Sequence, residues 1–261
     1  FGTERGTLYI LDRGGDPVGL LSASGAIRGG ITARGGRVLF GSLDRRIYVV
    51  TWSGAAAGRW ERGAALKARL KRTPRAQQLW RRELSGPVGQ GVRSGNSGAL
   101  LTGTWGKKMY VLERDGEVRW SYNCEADVMT LPVMSRRGDV LFGCNDGGFY
   151  GLKPDGNLRF RLPVNKRLAS SPAVTRDGSV YFGARDHRVY ALARDGKTLW
   201  KIRTGDDVDG APRIGGDGMV YVGSDDRHLY AISPIGAIAW YHRFGAPVRS
   251  RPALGRGGTV L

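Results

Sequence analysis

Apolar and polar residues alternate along this chain in short runs, and the runs are separated by glycine-bearing turns. Residues 168–174 (Leu-Ala-Ser-Ser-Pro-Ala-Val), 179–182 (Ser-Val-Tyr-Phe), 189–192 (Val-Tyr-Ala-Leu) and 197–202 (Lys-Thr-Leu-Trp-Lys-Ile) predict four consecutive strands. Asp177-Gly178 and Asp195-Gly196 read as two-residue hairpin turns, in which both central residues need positive φ. Gly183 ends the second strand and is expected to let the backbone turn tightly. No helical period runs through this stretch, so the pattern predicts an all-β chain.

The pattern recurs. Pro132, Pro172, Pro212 and Pro252 stand 40 residues apart, and Gly143, Gly183 and Gly223 follow the first three at a constant distance. Tyr150, Tyr190 and Tyr230 follow those glycines in turn. With Gly2/Tyr9, Gly41/Tyr48 and Gly103/Tyr110 the lattice contains six units. Four short strands in each repeat of about 40 residues predict a β-propeller of four-stranded antiparallel blades, taken as one domain over residues 1–261. Residues 258–261 read into residues 1–4 as residues 178–181 read into 182–185, so the two ends together complete one repeat. Proline fits an innermost strand, where a missing N–H costs little. Tyr190, Trp200 and their equivalents are expected to pack between blades.

Net charge is +18, which makes anionic partners plausible, although the arginines are spread over most of the turns. The lattice breaks once, between Tyr48 and Trp80, with a basic insertion at about 56–79. From Arg59 to Glu83 nine basic and two acidic residues give a local charge of 9 − 2 = +7. Arg59, Trp60, Arg62, Lys67, Arg69, Lys71 and Arg72 are the candidates there, for an anionic surface, membrane headgroups or a partner protein. A tolerated surface insertion is the competing reading. No sequence-specific nucleic-acid motif accompanies it, and no apolar run is long enough for a transmembrane helix. Cys124 and Cys144 fall in loops at one blade end, where a disulfide and two free thiols are both open readings. Three scattered histidines predict no metal site.

The string Asp177-Gly-Ser-Val-Tyr-Phe-Gly183, followed by Val189-Tyr-Ala-Leu192, Asp195-Gly196 and Trp200, resembles the PQQ-like (quinoprotein-type) β-propeller repeat. The match is close over residues 101–261 and looser over 1–100. Residue 1 is Phe and both ends fall inside a strand, so the chain is expected to be a fragment or processed piece, and its parent to have six blades or, as is common in the family it resembles, seven or eight. The family includes PQQ-dependent dehydrogenases, which use calcium and usually an adjacent cysteine pair, as well as cofactor-free envelope scaffolds and sensor domains. No adjacent cysteines occur here, and Asp44, Asp146, Asp186 and Asp226 recur from unit to unit as turn caps would. No catalytic residue and no cofactor is therefore expected; PQQ with calcium belongs to the alternative, enzymatic reading. The favoured expectation is a non-catalytic scaffold with protein partners in the bacterial periplasm or cell envelope. A ligand-sensing domain of a signalling protein is a further alternative. Asp207, Asp209, Arg249 and Arg251 fall where innermost strands converge, as a polar ligand pocket or a salt-bridge rim.

Overall fold

The computed structural model describes residues 1–11, 15, 17–34, 36–51, 77–164, 166–255 and 258–261. Among these, the strands form five four-stranded antiparallel sheets and one two-stranded sheet. The two-stranded sheet pairs β1 (Thr7–Leu11) with β2 (Pro17–Ser22). The second sheet runs β3 (Thr32–Arg34), β4 (Arg37–Gly41), β5 (Arg46–Thr51) and β6 (Gln77–Glu83). The third is β7 (Arg93–Ser94), β8 (Leu100–Gly103), β9 (Lys108–Leu112) and β10 (Val118–Asn123). The fourth is β11 (Val133–Met134), β12 (Val140–Gly143), β13 (Gly148–Leu152) and β14 (Leu158–Pro163). The fifth is β15 (Ala173–Val174), β16 (Val180–Ala184), β17 (Arg188–Leu192) and β18 (Thr198–Arg203). The sixth is β19 (Arg213–Ile214), β20 (Val220–Gly223), β21 (His228–Ile232) and β22 (Ile238–Arg243). Each four-stranded sheet is one blade of the predicted propeller, and the two-stranded sheet is part of another.

The two ends of the chain carry complementary pieces of a blade. Ala253 and Leu261 exchange backbone hydrogen bonds of 2.8 Å, matching the register of Ala173 opposite Tyr181. The Phe1 amino group donates to Tyr9 O at 2.7 Å, in the register of Phe182 opposite Tyr190.

Innermost strands join neighbouring blades. Leu131 N–H donates to Ser171 Oγ at 2.9 Å, and Ser170 Oγ donates to Gly210 O at 2.8 Å. Burial grades outward from there. β12, β16 and β20 are buried at every residue, because both of their faces meet another blade. The outer strands β14 and β18 are exposed at alternate residues. The core accordingly lies between blades: Leu141 and Phe149 of one pack with Val180, Phe182 and Tyr190 of the next. Phe149 stacks on Phe182 with centroids 3.9 Å apart. Indole N–H groups tie the periphery, from Trp80 to Arg114 O, Trp120 to Pro154 O and Trp200 to Pro234 O, each at 2.9 Å.

Two local expectations change. In the Asp-Gly turns only the glycine is left-handed, with φ of 97° at Gly178 and 90° at Gly196. Gly178 N–H closes a turn on Thr175 O, and Thr175 N–H bonds Ser179 O, so each is a type I turn followed by a left-handed residue. The lattice glycine, in turn, is needed for close approach and not for a tight turn. A Cβ at Gly183 would lie 2.2 Å from Val208 Cγ1, and one at Gly103 2.4 Å from Val128 Cγ1. Of the basic insertion at about 56–79, residues 56–76 lie outside the described residues, while residues 77–79 belong to β6. Arg59, Trp60, Arg62, Lys67, Arg69, Lys71 and Arg72 are therefore not placed.

Candidate binding site at one end of the propeller

In a four-stranded meander the turn from the second to the third strand lies at the same end as the loop leading to the next blade. The repeated aspartates build that end. Tyr48, Tyr150 and Tyr230 each donate a hydroxyl hydrogen bond to the aspartate four residues earlier, Asp44, Asp146 and Asp226, at 2.6 Å. Tyr190 does the same to Asp186. Asp44, Asp146 and Asp226 also accept backbone N–H groups of Arg46, Gly148 and His228 at 3.1, 2.7 and 2.9 Å. These acids are turn caps, as their recurrence suggested. Burial, then the aspartate, pushes the Tyr48 hydroxyl up to about 12. Tyr150, Tyr190 and Tyr230 are raised for the same two reasons. Burial works to raise Asp226, but hydrogen bonds from Tyr230 and from the Gly205 and His228 N–H groups hold it below its ordinary value.

The charged residues that the sequence singled out separate into two groups. Arg185 grips Asp209 through Nε and a terminal nitrogen at 2.9 and 2.7 Å, and Arg249 grips Asp225 at 2.8 and 2.7 Å. Such forks satisfy a carboxylate bidentately. Asp207 lies 3.6 Å from His187 Nε2 and 3.9 Å from Arg185, and burial followed by the charge of Asp209 raises its pKa. Asp207, Asp209 and Arg249 thus belong to a salt-bridge rim, with Arg249 held by Asp225. Arg251 stands apart, beside Arg213. Beneath the rim a cavity of about 390 Å³ is lined by Lys166, Arg185, Asp186, His187, Arg188 and Arg203.

Sequence spacing missed one grouping. The ligand atoms of His187, Asp206 and Asp207 lie within 4.8 Å of one another, although the histidines are scattered along the chain. The two cysteines do meet, as free thiols. Cys144 Sγ donates to Ala126 O at 3.2 Å, at the position where Ser42 and Ser224 use hydroxyls on the matching loops. Interaction with Cys144, then burial, pushes the Cys124 thiol up.

Two comparisons bear on this arrangement. A family profile described as "Outer membrane protein assembly factor BamB" matches residues 66–158 and 145–260. The chain belongs to this family of PQQ-like β-propellers. No curated protein matches it. Among solved structures, BamB from Moraxella catarrhalis is similar at 16% identity and a TM-score of 0.56, over 98% of this chain and 85% of that one. The WD40 propeller domain of Doa1 is similar at 16% identity and a TM-score of 0.70, over 99% and 83%. Sqt1 from Chaetomium thermophilum, bound to the N-terminus of ribosomal protein L10, is similar at 15% identity and a TM-score of 0.76, over 94% and 70%. At these identities the likeness shows the propeller fold alone.

The calcium of the family's dehydrogenases does not fit the repeat-borne and arginine-held carboxylates of this end. Calcium takes several carboxylate and amide oxygens that must be free to coordinate. Here Asp209 and Asp225 are held by arginines, and Asp44, Asp146 and Asp226 by tyrosines and backbone.

Proposed function

We propose that this chain is a non-catalytic scaffold that offers the loops at the Asp–Tyr end of its blades to a protein partner in the bacterial cell envelope. One observation carries the reading: Asp44, Asp146, Asp186, Asp209, Asp225 and Asp226 at this end are committed to arginines, tyrosines or backbone N–H groups. Such groups hold loops rigid; they do not stand ready to exchange protons with a substrate. A rigid, polar, self-neutralised rim suits recognition by shape, with little ordering cost on binding. The family described by BamB's assembly role supports the envelope setting, and Sqt1 bound to a ribosomal-protein terminus offers a propeller precedent for taking a protein segment. The basic insertion, with Arg59 and its neighbours, would add a contact to an anionic partner.

Cross-linking tests the reading. A photoreactive group placed beside Arg185 or Arg249 should capture a defined protein from solubilised bacterial envelope, identified by mass spectrometry. Reversing both arginines to glutamate should abolish that product while the folded far-UV spectrum persists. Capture unchanged by reversal would overturn the rim as the contact. Dye reduction with alcohols or aldoses in the presence of PQQ and calcium would overturn the scaffold reading itself.

A further inference from the structure

Among the described residues, three arginines close to the axis have no acidic partner. Arg93 on β7 and Arg213 on β19 hold the same register position in their innermost strands, opposite Leu101 and Tyr221 of the second strand. The fourth and fifth blades place Val133 and Ala173 there, and Ala253 holds the position in the C-terminal pair. Nothing in the repeat therefore requires arginine at this point. Arg251 immediately precedes Pro252 and lies two residues ahead of Ala253, at the entrance of an innermost strand.

The three guanidinium groups form a chain of like charges. Burial, followed by the charge of Arg251, lowers Arg93 to about 10. Burial also lowers Arg251, with the charge of Arg213 adding to it. Arg213 Nε is sealed from solvent and finds no hydrogen-bond acceptor. Among the described residues no carboxylate forms an ion pair with any of the three. Five other arginines, Arg119, Arg159, Arg185, Arg194 and Arg249, each hold an aspartate or glutamate. A buried polar group left without a partner is costly, and a buried charge more so. Arg93 and Arg213 are half-buried and Arg251 is exposed, and like charges gathered without a counter-charge are a poor way to build a core but the usual way to build an anion site.

We propose that Arg93, Arg213 and Arg251 form a binding site on the propeller axis for a compact oxyanion carrying at least two negative charges. The guanidinium fork matches phosphoryl and carboxylate oxygens equally, so both sources share this chemistry. The site is independent of the scaffold reading, since it uses none of the rim residues.

Calorimetric titration at constant ionic strength tests it, with pyrophosphate and citrate as probes and acetate as the monovalent control. At least one polyanion should bind tenfold or more tightly than acetate, and Arg213→Gln should weaken it by about tenfold, the loss of one charge-assisted contact. Pyrophosphate alone would make the site phosphoryl-selective, and citrate alone carboxylate-selective. The exposed Arg176→Gln should change neither. Thermal melting without ligand supplies a second measurement. Arg213→Gln should leave the midpoint unchanged or raise it, because like-charge repulsion is relieved. Polyanions binding no better than acetate, equal binding by wild type and Arg213→Gln, or a ligand-free midpoint lowered by the substitution would each overturn the proposal.

Discussion

At the residue scale, one position of the turn from second to third strand takes a left-handed backbone in every unit. Gly6 and Gly147 do so at φ of 76° and 79°, while Arg45, Lys107, His187 and Arg227 do so at 69°, 58°, 62° and 73° despite carrying side chains. A non-glycine residue there costs on the order of 1 kcal/mol. Lys107→Gly should therefore stabilise the protein by up to about 1 kcal/mol, raising the midpoint by roughly 2–4 °C in a domain of this size. Differential scanning calorimetry reads this directly. The tyrosines make a second prediction. A hydroxyl raised above its ordinary value near 10 stabilises the fold fully below that pH, and the contribution is lost as pH climbs through the folded-state value. With Tyr48 at about 12 and Tyr150, Tyr190 and Tyr230 also raised, absorbance at the tyrosinate band should show these four protonated at about pH 11 in native protein. In denaturant all ten tyrosines should titrate together near 10.

At the scale of elements, the loop following one blade closes on the second strand of that blade. Val88, Val128, Leu168, Val208 and Val248 crowd Gly41, Gly103, Gly143, Gly183 and Gly223, so both lattices share one origin. The glycines were legible in the sequence, but their reason was not, because the valine or leucine that excludes a Cβ comes from a loop distant in the chain. Cys144 sits in this joint, and Cys124, just after the outer strand of the preceding blade, packs against the same cluster. Oxidised glutathione should convert the two thiols into a disulfide, its own S–S bond breaking to give two reduced glutathione molecules that take up the two thiol protons. Closing a loop of this length stabilises by up to about 3 kcal/mol. Mass spectrometry without reductant should show the bridge, together with a higher melting midpoint. Persistence of both free thiols would count against the disulfide.

At the scale of the whole molecule, charge is the dominant unexplained property. Acids at the rim are matched by arginines, so the net +18 resides elsewhere, and a block of it lies in residues 59–75. Basic residues near an anionic bilayer contribute about 1 kcal/mol each at low salt. Replacing Arg59, Arg62, Lys67, Arg69, Lys71 and Arg72 by glutamine should reduce co-sedimentation with phosphatidylglycerol vesicles by at least about tenfold. The binding that remains should vanish in high salt. Retention unchanged by these replacements would leave the insertion a tolerated loop.

What the sequence determined by itself was the repeat: alternation sets the strands, the 40-residue spacing sets the blades, and the recurrence of the aspartates marks them as caps. These are local or periodic properties, and a single chain displays them openly. Pairing of charges was decided only by tertiary structure. Asp209 and Arg249 look like natural partners in the sequence, yet Arg185 and Asp225 claim them from neighbouring loops. Arg93, 158 residues before Arg251, joined it only because innermost strands of different blades converge on one axis. Sequence separation has no bearing on distance between blades that share an axis, so the rim and the axial arginines became visible only once the sheets were in place.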